Sequence, residues 1–131
     1  MAKQVPIVDY LVLGDQPHLE AHECKECGAL YWDRRNACAK CGKTEFANKA
    51  VGTTGLVRSY AIVHQAAPGV PVPYVSAVIE LDGGGQVKCN VVNVDPEPDK
   101  VSLGMKVQFT TFVAGTDDEG TEAVCFGFEP V

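Results

Sequence analysis

The chain has 131 residues, of which 46% are apolar, so it can bury a core and is one compact unit or two very small ones. Seventeen acidic side chains against 11 basic ones leave a formal charge of −6, which argues against a non-specific grip on nucleic acid. The apolar stretches, such as Val75–Ile79, are far too short to span a bilayer, and no secretory leader opens the chain, so a cytoplasmic protein is expected.

The charge is unevenly placed. Residues 1–50 hold seven basic and seven acidic side chains, whereas residues 51–131 hold four and ten and therefore carry the whole −6. In chain order, Val5–Leu13 comes first. It is apolar enough to dock on something, as a strand or as a short helix. His18 and His22 follow, and both read as surface or structural residues.

Next come two matched knuckles, Cys24-Lys25-Glu26-Cys27-Gly28 and Cys38-Ala39-Lys40-Cys41-Gly42, with ten residues between Cys27 and Cys38. Two residues between thiols let a tight turn present both sulfurs to one ion while backbone N–H groups point at them. A glycine after the second Cys permits the positive φ that closes such a turn. Two knuckles complete a tetrahedral shell with no open position, so the site is expected to be structural, with one Zn²⁺ held by Cys24, Cys27, Cys38 and Cys41. In a segment this small, such an ion supplies about 10 kcal/mol of folding energy. Paired disulfides lack the support of an export signal, and a redox centre needs one such motif on a βαβ unit rather than two matched ones. Rubredoxin-type iron uses the same ligands, and sequence does not separate it from zinc. Four thiolates and one Zn²⁺ add −2, which brings the metallated chain to about −8.

Lys25, Arg34, Arg35, Lys40 and Lys43 surround the knuckles. Their first reading is charge balance for the thiolates; the sharper one is contact with an anion or a partner, with Arg34 and Arg35 the best candidates because guanidinium clamps phosphate bidentately.

Beyond Gly55 the pattern becomes strand-like. Leu56–His64 is rich in β-branched and aromatic residues, and His64 has no nucleophile or carboxylate at a recognisable spacing. A loop with three prolines follows, Ala67-Pro68-Gly69-Val70-Pro71-Val72-Pro73-Tyr74, either a stiff connector or a partner-contacting and acyl-lining segment. Tyr74–Leu81 alternates, with Val75, Ala77, Ile79 and Leu81 on one face. Asp82-Gly83-Gly84-Gly85 makes a hairpin turn into Gln86–Val94. After the acidic connector Asp95–Asp99, Lys106–Ala114 forms a strand whose Thr110-Thr111 pair suggests a bulge. A turn at Asp117–Gly120 leads to the last strand, Glu122–Glu129. Cys89 and Cys125 lie mid-strand and read as small apolar fillers. Five such strands match an OB-type barrel. The expected fold is therefore mostly β: an N-terminal docking segment over residues 1–20, a rubredoxin-like zinc ribbon over 21–50, and a five-stranded OB-fold barrel over 51–131.

The ordered set Pro17-His18-Leu19, Cys24-x-x-Cys27-Gly28-Ala29, Arg34-Arg35-x-x-Cys38-x-x-Cys41-Gly42, Gly55-x-Val57, Asp82-Gly83, Asp95-Pro96 and Gly104-Met105-x-Val107 resembles the acyl-CoA-associated proteins catalogued as domain of unknown function 35. The resemblance covers nearly the whole chain. It implies a small partner subunit of a thiolase-superfamily enzyme, such as a thiolase, a synthase, or an aldolase of steroid or aromatic catabolism. In that family the large partner carries the catalytic Cys and His, while the ribbon–barrel subunit stabilises the complex and helps form the CoA channel. The resemblance thus implies no catalytic residues here, a thiolase-like catalytic subunit as partner, a CoA thioester at a shared interface, and a heterotetramer with two copies of each subunit. Arg34, Arg35, Lys40, Pro71, Pro73 and Tyr74 are the candidates for contact with CoA or partner. No nucleic acid and no membrane are expected. A nucleic-acid-associated ribbon and a free-standing acyl-CoA binding protein are the competing readings. An OB-fold gripping single strands would want a basic, aromatic groove, and this barrel is acidic.

Overall fold

The computed structural model describes residues 3–131 and is all β, with no helix among the described residues. The chain forms two compact units. One comprises the residues up to Val51 together with Val113–Cys125; the other comprises Gly52–Phe112 and Phe126–Val131.

In the first unit, β1 (Gln4–Pro6) and β2 (Leu11–Val12) make the Val5–Leu13 stretch two short strands rather than a helix. β1 runs parallel to the start of β10 (Glu122–Pro130), with Gln4 opposite Glu122 and Pro6 opposite Val124. Ile7 N–H donates to Val124 O at 3.0 Å, and Glu122 N–H donates to Lys3 O at 2.7 Å. β3 (His18–Cys24) is the hub of a small antiparallel sheet that pairs with β2, with β4 (Leu30–Tyr31) and with β5 (Phe46–Ala50). On β3, Leu19, Ala21 and Cys24 are buried while His18, Glu20 and His22 are half-exposed, so the strand has a core face and a wet one.

The second unit is the barrel. β6 (Thr54–Val63), β7 (Tyr74–Leu81), β8 (Gln86–Val91), β9 (Lys106–Thr116) and β10 follow the order β10-β8-β7-β6-β9, and pairing of β9 with β10 closes the ring. The β10–β8 pairing is parallel, with Phe128 opposite Val91. Closure removes the free sheet edge, which is how a barrel of this size avoids pairing with other chains. The alternation in β7 works as expected, since Val75, Ala77, Ile79 and Leu81 are all at most 3% exposed. Val57, Val87, Val101, Val107 and Phe128 complete the interior, and Phe109 packs at about 6 Å from both Phe126 and Phe128.

Two details differ from expectation. The register shift between Val57 and Ser59 puts a bulge at Arg58 in β6, a strand that carries no sequence signal for one. Moreover, β8 stops at Val91, three residues short of the apolar run, because Asn93 turns the chain with φ +58°.

At Gly55 the backbone of β6 runs close against β7. A methyl group there would lie 2.5 Å from Glu80 O and 2.8 Å from an Ile79 methyl. Gly55→Ala should therefore cost about 2–3 kcal/mol in chemical denaturation. Gly115→Ala, where the added carbon meets nothing within 4 Å, should stay within about 0.5 kcal/mol of the parent.

Candidate metal centre

The knuckles are built by local backbone hydrogen bonds, and the two are nearly superimposable in pattern. Cys24 N–H donates to Ala29 O at 2.9 Å and Gly28 N–H to Cys24 O at 2.9 Å. The second knuckle repeats both bonds, from Cys38 N–H to Lys43 O at 2.7 Å and from Gly42 N–H to Cys38 O at 2.8 Å. Gly28 and Gly42 sit at φ +77° and +79°, the left-handed region that a side chain would strain. The repeated Cys-x-x-Cys-Gly thus encodes one turn, used twice. β3 delivers Cys24 from its last residue.

The four sulfurs converge within 4.8 Å of one another. Cys24 Sγ lies 3.5 Å from Cys41 Sγ, and Cys27 Sγ lies 3.6 Å from Cys38 Sγ. Sulfurs held about 2.3 Å from a tetrahedral zinc stand about 3.8 Å apart, so the donor set fits that ion. Cys24 and Cys38 are buried, Cys27 is half-buried and Cys41 is exposed. Protein sulfur fills all four positions, leaving none for a substrate. This is a structural zinc site in a rubredoxin-like ribbon.

The electrostatics show why an ion is needed. The Tyr31 hydroxyl beside Cys38, with the N–H groups of Cys41 and Lys40, outweighs burial and pulls the Cys38 thiol down to about 5. The Cys27 backbone N–H, chiefly, also holds Cys24 below the ordinary thiol value. Cys41 goes the other way. The Lys43 N–H favours its thiolate, but burial and the three neighbouring sulfurs prevail and push it up to about 12. The first negative charge comes easily to this cluster and the last one does not, unless a divalent cation shares the space.

Tyr31 is the site residue that sequence reasoning missed. Its hydroxyl lies 3.4 Å from Cys38 Sγ and accepts the Ala39 N–H at 3.0 Å. The Arg35 guanidinium stands 4.5 Å above the Tyr31 ring centroid, and Arg35 Nε–H donates to Ala37 O at 3.2 Å. Arg34 donates from Nη1 to Asn36 Oδ1 at 3.0 Å, and Lys40 is exposed on the second knuckle. Arg34, Arg35 and Lys40 therefore share the ribbon with the metal. Pro71, Pro73 and Tyr74 belong to the barrel unit; Pro71 and Pro73 lie in the β6–β7 loop with exposed Val70 and Val72, and half-buried Tyr74 opens β7. His18 contacts Gln16 O and Glu20, and His22 lies on β3; neither joins the sulfur cluster.

The family model for the ChsH2 rubredoxin-like zinc ribbon domain matches residues 13–47, and that for the ChsH2 C-terminal OB-fold domain matches residues 48–112. A DUF35 domain-containing scaffold protein of Methanocaldococcus jannaschii is 35% identical over 112 residues, spanning 82% of this chain and 78% of that protein. The benzoylsuccinyl-CoA thiolase subunit BbsA of Geobacter metallireducens is 22% identical over 118 residues, covering 90% of this chain and 78% of its own length. Among solved structures, a chain of the Ltp2-ChsH2(DUF35) aldolase superposes with a TM-score of 0.68 at 30% identity, covering 86% of this chain and 84% of that one.

Because Cys41 must lose a proton to bind metal, zinc uptake at pH 7 should release protons, and apparent affinity should rise between about pH 6 and 8. Calorimetry in buffers of different ionisation heat measures both. Cys38→Ser should reduce bound zinc, by elemental analysis, from about one per chain to less than about a tenth of that.

Proposed function

The chain belongs to the DUF35 family of ChsH2-type zinc-ribbon and OB-fold proteins, and from that premise we propose that it is the non-catalytic small subunit of a heteromeric thiolase-superfamily enzyme. The observation that carries the reading is the likeness, along 86% of the chain, to one component of a two-component aldolase. Kinship to a subunit of a CoA-thioester thiolase points the same way. The metal chemistry agrees, since a four-sulfur zinc has no open position at which to activate an acyl group.

In this reading the catalytic partner supplies the nucleophile and base, and this chain stabilises the complex and contributes to the CoA and acyl channel. Arg34 is exposed, with a neutral amide as its hydrogen-bond partner, so with Lys40 it suits the phosphates of CoA. Arg35 keeps part of its guanidinium for such a contact while lying over Tyr31. Pro71, Pro73 and Tyr74, with exposed Val70 and Val72 beside them, offer a stiff apolar rim for an acyl chain or for the partner's surface. The acidic barrel favours a catalytic subunit with a basic face, and two copies of each subunit make the assembly. Aromatic or steroid catabolism is the pathway class this reading favours. Single-stranded nucleic acid is a poor fit to a chain of charge −6.

The test is co-expression with a thiolase-like subunit. Stable co-purification and carbon–carbon bond cleavage of an acyl-CoA only by the pair are expected. Cleavage by this chain alone, or no difference between pair and large subunit, would overturn the reading. In the active pair, Arg34→Glu should raise KM for the CoA thioester about tenfold with little change in kcat, as loss of a phosphate contact made equally in ground and transition states.

A further inference from the structure

We propose that Tyr31 is a positioning residue of the metal site: its hydroxyl is a side-chain hydrogen-bond donor to the Cys38 sulfur, and Arg35 holds its ring in place for that task. A metal-bound thiolate carries no hydrogen, so in the Tyr31–Cys38 pair the hydroxyl is the donor. The Ala39 N–H points at the Tyr31 oxygen at 3.0 Å, so that oxygen is an acceptor there and its own hydrogen is free to face Cys38 Sγ at 3.4 Å.

The arrangement ties the two knuckles together. Tyr31 lies on β4, opposite His22 of β3, and so belongs to the hairpin that carries the first knuckle. The sulfur and the N–H that it engages belong to the second. Cys38 already receives a donor from its own knuckle, the Lys40 N–H at 3.4 Å. Tyr31 adds one that the knuckle cannot supply for itself. Four thiolates around one Zn²⁺ leave a surplus of two negative charges, and each donor aimed at a sulfur withdraws part of it.

Three contacts hold the ring. Phe46 meets it edge-on at 6.0 Å and 82°, and the Ala39 N–H anchors the oxygen. The third is Arg35, whose guanidinium is itself fixed by the Ala37 carbonyl and covers the face of the ring at 4.5 Å. A cation over the ring draws density from the phenol and makes its O–H a better donor. Arg35 thereby acts on the metal site through Tyr31, without touching a sulfur.

The test follows zinc from the loaded, full-length protein to a chromogenic chelator, alongside the absorption of the cobalt(II)-substituted protein. Tyr31→Phe keeps the ring and removes only the donor. It should speed transfer about 10- to 100-fold, the usual scale for losing an outer-shell partner of a metal ligand. The sulfur-to-cobalt charge-transfer band should also move to lower energy, because a thiolate without its donor gives up an electron more easily. A merely structural ring would leave that band unmoved. Arg35→Met should speed transfer about threefold to tenfold and Arg35→Lys should restore most of the loss. Lys100→Met, which removes one exposed charge of the barrel unit, should leave transfer at the parent rate. Parent-like transfer and an unshifted band in Tyr31→Phe would overturn the proposal. Should that variant not fold, Arg35→Met at its exposed position decides, and a rate equal to that of the parent or of Lys100→Met overturns it.

Discussion

Four sulfurs brought within 4.8 Å of one another form a cluster that cannot fully ionise by itself, and the ribbon is organised around that constraint. The contrast between Cys38, drawn down to about 5, and Cys41, driven up to about 12, states it in a single site. A divalent cation resolves the conflict by stabilising all four thiolates at once. The turns that aim N–H groups at the sulfurs reduce the surplus charge, and the cationic side chains around the knuckles work in the same sense.

Packing alone would leave the ribbon short of material. Within residues 3–51 the buried apolar side chains are Leu11, Leu19, Ala21, Cys24, Cys38 and Val51, and two of these are metal ligands. The barrel, by contrast, fills its interior with valines, Ile79, Leu81 and Phe128 and draws its stability from area removed from water. One chain therefore uses two different solutions to the cost of ordering a backbone, a metal in one unit and a closed apolar core in the other.

What could be read from sequence follows the range of the interactions. Cys-x-x-Cys-Gly is a local turn whose parts are all within six residues, so both knuckles were legible. The same holds for β7, where Val75, Ala77, Ile79 and Leu81 alternate with residues facing away from the core. β5 was not legible, because its Asn48 and Lys49 carry little apolar alternation and its partner β3 lies on the far side of both knuckles, with Cys24 opposite Phe46. Tyr31 escaped notice for a related reason. Its hydroxyl reaches Cys38 across seven positions, through a register that places Tyr31 opposite His22. No spacing rule announces such a contact. The bulge at Arg58 belongs to the fit between β6 and β7 and has no signature in either strand alone.

The parallel pairing of β1 with β10 has a consequence for how the chain is made. Gln4 waits for Glu122, its partner 118 positions later, to be synthesised. Both knuckles, complete by Gly42, leave the ribosome well before the last barrel strand exists. The ribbon can take up its ion during translation, while its thiols would otherwise be exposed to oxidation, and β1 is among the last of these strands to find its place. Contacts of such long sequence separation are slow to form. The metal thus serves as an early fixed point on a chain whose β1 finds its partner only after the strands between them have been made.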